Sequence, residues 1–343
     1  MRRLGLLQLV GFSLLACFDA KLYTLNQTET AGSFRLMTVP DDGIPVPVSK
    51  TGAEIKFTPG SSTIDSDNGV LYFVGSTKPA FQMGNVSLVG VSLSTGAMVS
   101  NTAFPIVPST GPGRSEIFEA AIAYASDLKE IVVLITDFTC DTPPCVSGNQ
   151  HVLGTINPNS GEWKVVRTVS HPTSTAVQPG PGVYVPGKQT FIFQLGIKQV
   201  LTQFAYSFKT GALLNATGAQ FTEFEFNPKD GMLWGHGVTM SPDGKWIVRT
   251  LSKMDPSTLK VEVVKVLSSL CVDGGNLVTL DVEKQTLYWL SSLSKDDSNS
   301  SKPFYLIGVS LANSTIVSQS LMCPTWEYAQ SGPSKCPATL NYF

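Results

Sequence analysis

The sequence predicts an all-β chain closed into a β-propeller, with six blades of four-stranded antiparallel sheets, seven blades being the alternative. Three observations lead there. Leu88 to Ser100 (LVGVSLSTGAMVS) returns almost unchanged 218 positions later as Leu306 to Ser318 (LIGVSLANSTIVS). Looser copies of the same unit lie between them. A second, more apolar kind of strand recurs along the chain as well. A unit of this size cannot bury its apolar face alone, so copies must stack and share cores.

Each copy reads as an alternating strand, a small polar turn and a return strand. In chain order, Leu22 to Phe34 (LYTLNQTETAGSF) is expected as a degenerate first copy. Val152 to Val166 places Asn-Pro-Asn-Ser-Gly where the first clear copy has its turn, and Phe204 to Leu214 repeats it as Ser-Phe-Lys-Thr-Gly-Ala-Leu. The turn markers Gly96, Gly161, Gly211 and Ser314 stand 65, 50 and 103 residues apart, and the widest gap leaves room for one more unit, at Leu259 to Leu267. Glycine at such turns supplies the positive φ that a tight hairpin needs.

The second kind of strand follows a Gly or Lys turn: Gly69-VLYFVG, Lys129-EIVVLIT, Lys188-QTFIFQL, Asp230-GMLWGHG, Asp243-GKWIVRT and Lys284-QTLYWLS. Near-continuous apolar residues mark a strand buried on both faces. Combined with the hairpins, these strands give about six sheets of roughly 50 residues each, within the range of propeller blades. Ring closure removes the sheet edges that a linear array would leave open.

Composition narrows the function. Of 343 residues, 15% are charged and 42% hydrophobic, with a net charge of −2. There is no basic stripe, which argues against nucleic acid as a partner. Arg2 and Arg3 precede an apolar run from Leu4 to Leu15, followed by Ala16, Cys17 and Ala20. That is the pattern of a cleaved secretory signal, too short to stay in a bilayer. Leu14-Leu15-Ala16-Cys17 also fits a bacterial lipoprotein box, which is the alternative. No later run is apolar enough to span. The expected organisation is residues 1–20 as signal, 21–322 as propeller and 323–343 as a tail, with the mature protein secreted.

Asn26, Asn85, Asn215, Asn299 and Asn313 each head an Asn-x-Ser/Thr tripeptide, the acceptor pattern for N-glycosylation. Of six cysteines, Cys17 leaves with the signal. Cys323 is expected to pair with Cys336, fastening the tail, and Cys140 with Cys145, leaving Cys271 single. Bridging Cys323 and Cys336 stabilises by about 3 kcal/mol in the chain-entropy treatment.

Catalytic signals are sparse. His151 and His171 read as surface residues. His236, in Leu233-Trp-Gly-His-Gly, has glycines on both sides that permit close approach of a ligand, although a structural role is the stronger reading. Glu119 and Glu225 each follow a phenylalanine on an expected innermost strand. Converging there, they could ligate Ca²⁺ or act as acid and base, with Asp65 and Asp67 from neighbouring blades. Asp243, in Ser-Pro-Asp-Gly, reads as a turn residue. No cofactor is otherwise implied.

At Gly69 to Gly75 and Ser241-Pro-Asp-Gly-Lys-Trp, the chain resembles six-bladed propellers of the gluconolactonase-like and NHL-type classes. The resemblance implies the fold. The lactonase-like enzymes carry Glu-Gly-Pro on the first inner strand, where this chain has Thr58-Pro-Gly-Ser-Ser-Thr-Ile-Asp65, so no catalytic residue carries over. The leading expectation is a non-catalytic extracellular binding or matrix protein whose partner is an extracellular protein or glycan. A metal-dependent hydrolase or lactonase with axial carboxylates is the first alternative. A carrier holding a small ligand in a channel lined by Trp234 and Trp289 is the second.

Overall fold

The computed structural model describes residues 21–27, 33–40, 45–49, 55–56, 58–76, 86–103, 114–140, 150–170, 179–197, 200–217, 221–240, 247–271, 278–292, 304–323 and 341–342. The first blade takes β1 (Leu22–Gln27), β2 (Phe34–Val39) and β3 (Val46–Pro47). The second comprises β4 (Thr58–Asp65), β5 (Val70–Ser76), β6 (Val86–Ser92) and β7 (Met98–Ala103). The third has β8 (Arg114–Ala125), β9 (Glu130–Cys140), β10 (Gln150–Ile156) and β11 (Trp163–Ser170). The fourth has β12 (Pro179–Val185), β13 (Thr190–Ile197), β14 (Val200–Ser207) and β15 (Leu213–Thr217). The fifth has β16 (Phe221–Asn227), β17 (Met232–Met240), β18 (Ile247–Met254) and β19 (Val261–Cys271). The sixth has β20 (Val278–Asp281), β21 (Thr286–Ser292), β22 (Phe304–Ser310) and β23 (Ile316–Cys323).

A last short strand, β24 (Asn341–Tyr342), returns to the first blade and pairs antiparallel with β1, Leu22 opposite Tyr342. Each blade is thus a four-stranded antiparallel sheet, a meander in blades two to six and completed by β24 in the first. The innermost strands β4, β8, β12, β16, β20 and β24 touch in cyclic order, so the six blades close a ring. Two sequence expectations shift here. Leu22 to Phe34 is the second-to-third-strand hairpin of its blade, so the counterpart of the outer hairpins is β2–β3. Residues expected as a tail supply an innermost strand of the ring.

The near-copy between blades two and six has a steric cause. Gly90 lies opposite Tyr72 and Ser100, and a Cβ there would stand 2.3 Å from the Ser100 hydroxyl and 2.8 Å from the Tyr72 ring. Gly308 is its counterpart, opposite Tyr288 and Ser318, with corresponding distances of 2.9 and 2.2 Å to ring and hydroxyl. Tyrosine, glycine and serine across three strands form one packing unit used twice.

Outer hairpins in five blades share one turn. Gly96, Gly161, Gly211, Leu259 and Ser314 adopt φ of +57° to +72°. Each donates its N–H to the carbonyl four residues earlier, at 2.8–2.9 Å. The unit expected at Leu259 to Leu267 is therefore the β18–β19 turn and return strand. Inner turns match in the same way, with Gly69, Lys129, Gln189, Gly231 and Gln285 at positive φ. They also link blades. Asp67 accepts from Tyr124 (2.9 Å) and pairs with Lys129. Asn227 exchanges amide hydrogen bonds with Gln285 at 2.9 and 3.2 Å.

Cores sit between blades rather than within them. Leu134 and Leu153 of blade three pack on Phe191, Phe193 and Phe204 of blade four. Val183, Ile192 and Ala205 of blade four face Phe221, Phe224, Leu233 and Leu259 of blade five. Trp234, Leu251 and Leu267 meet Leu280, Leu287, Trp289 and Ile307 across the seam of blades five and six. Leu259 is the odd member of the turn series. Like Ser314 it holds a positive φ (+58°) without being glycine, but unlike Ser314 it is an apolar residue only 2% exposed. That backbone conformation costs an L-residue about 1–2 kcal/mol. Leu259→Ala should lower stability by about 2–4 kcal/mol through lost burial. Leu259→Gly, which removes one carbon more but relieves the backbone, should cost no more than Leu259→Ala in urea unfolding. A clearly larger loss for glycine would contradict the left-handed turn.

Candidate functional site

His236 anchors the densest group of buried ionisable side chains among the described residues. Its position follows from the strand β16, whose Phe-Thr-Glu-Phe-Glu-Phe-Asn run alternates apolar and acidic residues. A bulge between Phe221 and Glu223 breaks that alternation. Phe221 and Phe224 are thereby brought together, stacked 5.2 Å apart in the seam with blade four. Glu223 then falls opposite His236 on β17.

Gly235 makes that pairing possible. A Cβ there would lie 1.8 Å from the Glu223 carbonyl oxygen. The glycine next to His236 thus accommodates the neighbouring strand, not a ligand.

Glu223, His236 and Arg249 are each 3% exposed. His236 Nε2 lies 3.6 Å from Glu223 Oε2. Arg249 Nη1 lies 2.8 Å from Nε2 and 2.9 Å from Nδ1, donating to the neutral ring. Trp289 of blade six, fully buried, has its ring centroid 5.8 Å from that of His236. The group therefore closes the seam of blades five and six. Burial pushes the Glu223 carboxyl up to about 8, with Arg249 pulling it back and Glu225 raising it further. Burial raises Glu225 to about 8 as well. His236 is held well below its ordinary value, first by burial and then by Arg249. At neutral pH the set is a protonated acid, a neutral imidazole and a fixed cation, sealed from bulk water.

The other expected site residues are dispersed. Glu225 lies two residues before the end of β16, its carboxyl enclosed while another part of the residue stays exposed. Glu119 lies six residues before the end of β8, opposite Thr136, and its side chain is outside the described residues. Asp65 is buried and caps its own turn, accepting from the N–H of Asp67 (3.0 Å) and Asn68 (3.1 Å). Asp67 serves the blade-to-blade link, and hydrogen bonds from Lys129 and then Tyr124 hold its carboxyl below the usual range. Asp243 and His171 lie outside the described residues.

His151, expected at the surface, is fully buried because β10 is an inner strand flanked by β9 and β11. Trp234 and Trp289 both pack in the seam, and Trp234 donates to Asp230 at 2.7 Å. Among the described residues there is no group of three or more His, Cys, Asp or Glu arranged to hold a metal ion. The expected pairs Cys323–Cys336 and Cys140–Cys145 involve side chains outside the described residues. Asn26 is buried, Asn215 and Asn313 are exposed, and Asn85 and Asn299 lie outside the described residues. Glu223 and Arg249 were not singled out from sequence. The one signal pointing to them is a Glu-x-Glu run on the strand that pairs with the histidine strand.

The chain matches no protein-family model and no curated protein. Several solved propellers are similar in shape. One is in a nidogen/laminin complex, at 12% identity and TM-score 0.55, covering 94% of this chain and 98% of that one. Another is TolB from Acinetobacter baumannii, at 13% identity and TM-score 0.55, covering 89% of this chain and 65% of that one. A third is a chain assigned as a 6-phosphogluconolactonase from Bacteroides uniformis, at 12% identity and TM-score 0.54, covering 95% and 100%. At such identities the likeness is one of fold alone.

Two predictions follow from the seam. Burial pushes the native Glu223 and Glu225 carboxyls up to about 8 from the ordinary 4.5 of the unfolded chain, so the folded state binds more protons between those values. Their contribution to stability is present below about pH 4.5 and is lost as pH rises towards 8. His236 works in the opposite sense, costing stability as pH falls below 6.5. Urea midpoints taken from about pH 5 to pH 8 should fall for the wild type and fall less for Glu223→Gln. Parallel curves would contradict the assignment. Gly235→Ala should cost about 3 kcal/mol or more, because a backbone carbonyl cannot move aside as a flexible side chain can. Calorimetry would show this as a large fall in Tm.

Proposed function

We propose that this chain is a secreted, N-glycosylated propeller that binds an extracellular protein or glycan through its rim and catalyses no reaction of its own. The observation that carries this reading is the outward display on the last strand of every blade. Val46, Val99, Val165, Leu214, Val263 and Val317, one per blade, are 45–59% exposed. Apolar side chains spaced around a polar rim offer contact points to a protein surface. The outer strands also carry free edges that can pair with an extended segment of a partner. The basic and apolar start of the chain supports export. A propeller of similar shape in a nidogen/laminin complex is a precedent for protein–protein assembly by this architecture.

The hydrolase alternative draws on one observation, the raised carboxyl of Glu225 on an innermost strand. Two experiments separate the readings. Expression from the native start should release into the medium a protein lacking Met1 to Ala20; intact Met1 on cytosolic material would overturn the location. Retention on immobilised extracellular matrix should fall about tenfold for the combined Val99→Lys and Val317→Lys variant with unchanged Tm. Calorimetric titration with Ca²⁺ should show no tight binding, and tight binding abolished by Glu225→Gln would favour the enzyme.

A further inference from the structure

The five acceptor tripeptides are equivalent in sequence, and the fold makes them unequal. Asn26 sits on β1, 6% exposed, with its Oδ1 taken by the Thr24 hydroxyl at 3.1 Å. Asn215 lies on β15, the outermost strand of blade four, exposed together with Thr217 two residues on. Asn313 occupies the outer turn of blade six, and that turn repeats in five blades.

At the corresponding position in the other four turns stand Thr95, Ser160, Thr210 and Thr258. Each hydroxyl accepts the backbone N–H two residues later, at 3.3–3.4 Å. Asn313 does the same work with its amide oxygen, accepting the Thr315 N–H at 3.2 Å and the Thr315 hydroxyl at 2.7 Å. Both contacts go to Oδ1. The Nδ2 amide is therefore left facing solvent, with no partner among the described residues. This is the atom that glycosylation uses, held in place by the hydroxyl that completes its own acceptor tripeptide.

We propose that Asn313 and Asn215 carry N-linked glycans and that Asn26 does not. This rests on the secretory reading above. Asn Nδ2 bonds to the anomeric carbon of an oligosaccharide delivered on a lipid pyrophosphate. The bond from that carbon to the pyrophosphate oxygen breaks. The departing pyrophosphate takes the electron pair, and the amide loses one proton to the medium. The glycans stand on the rim beside Leu214, Ile316 and Val317, each 37–54% exposed. There they keep the open edges of β15 and β23 from pairing with another copy of the chain.

The test expresses the full chain in a eukaryotic secretory host behind a heterologous cleavable leader, so the native leader is not what is being tested. Secreted and endoplasmic-reticulum-retained material are both treated with an amidase that converts each glycosylated Asn to Asp, then mapped by mass spectrometry. Asp is expected at 313 and 215, and Asn at 26. Asn313→Ser keeps the capping oxygen used in the other blades, so it should lose one glycan with Tm unchanged. Asn215→Gln together with Asn313→Ser should shift the protein towards dimers and larger species in light scattering. Unmodified Asn313 or a glycan on Asn26 overturns the assignment. A double variant that stays monomeric overturns the shielding role. Failure of the native leader alone would overturn the location and leave the acceptor assignment standing.

Discussion

Successive sheets in this protein have faces that only the next sheet can cover, and among the described residues five seams are filled by cores shared between neighbouring blades. Phenylalanine fills the seam between blades three and four, while phenylalanine, methionine and leucine fill the next. Because each core belongs to two blades, no blade can be removed or loosened without exposing the apolar faces of both neighbours. The turn-to-turn links from Asp67 to Lys129 and from Asn227 to Gln285 add alignment to what packing supplies. They are exposed or half-exposed contacts of modest strength, and their value is registration more than energy.

The seam between blades five and six departs from that apolar pattern. A buried guanidinium is expensive to desolvate, and only polar company makes it tolerable. Arg249 finds it in His236 and Glu223, under the indole of Trp289. An apolar trio of similar volume would pack there with less penalty. Retaining a charged one in a closed wall ties the stability of this seam to pH, which the aromatic seams are not subject to.

Much of the fold was legible because blade repetition leaves local marks. The Tyr–Gly–Ser unit made blades two and six nearly identical in sequence, and the left-handed turn position announced itself by glycine in three blades. Leu259 holds the same turn without glycine, so only the spacing betrayed it. What escaped notice was non-local. The pairing of β24 with β1 joins residues about 320 apart and involves only two pairs, too few to leave a periodic signal. His151 looked superficial because flanking polar residues mask an inner strand. The bulge in β16 moved Glu223 out of simple alternation, and no residue in Phe-Thr-Glu-Phe marks it. Glu119 and Glu225 share a local motif, yet their offsets from the strand ends differ, which a motif cannot convey.

The two-residue pairing of β24 with β1 has a kinetic side. During synthesis the first blade emerges early but lacks its axial strand until residues 341–342 have been made. Blades two to six can assemble on one another as they appear, whereas the circle waits for a contact between residues about 320 apart in sequence. Until then the faces flanking the gap stay uncovered, and apolar surface exposed in this way favours aggregation. Deleting Asn341 and Tyr342 would remove the two pairings through which β24 joins β1 and so leave that gap open.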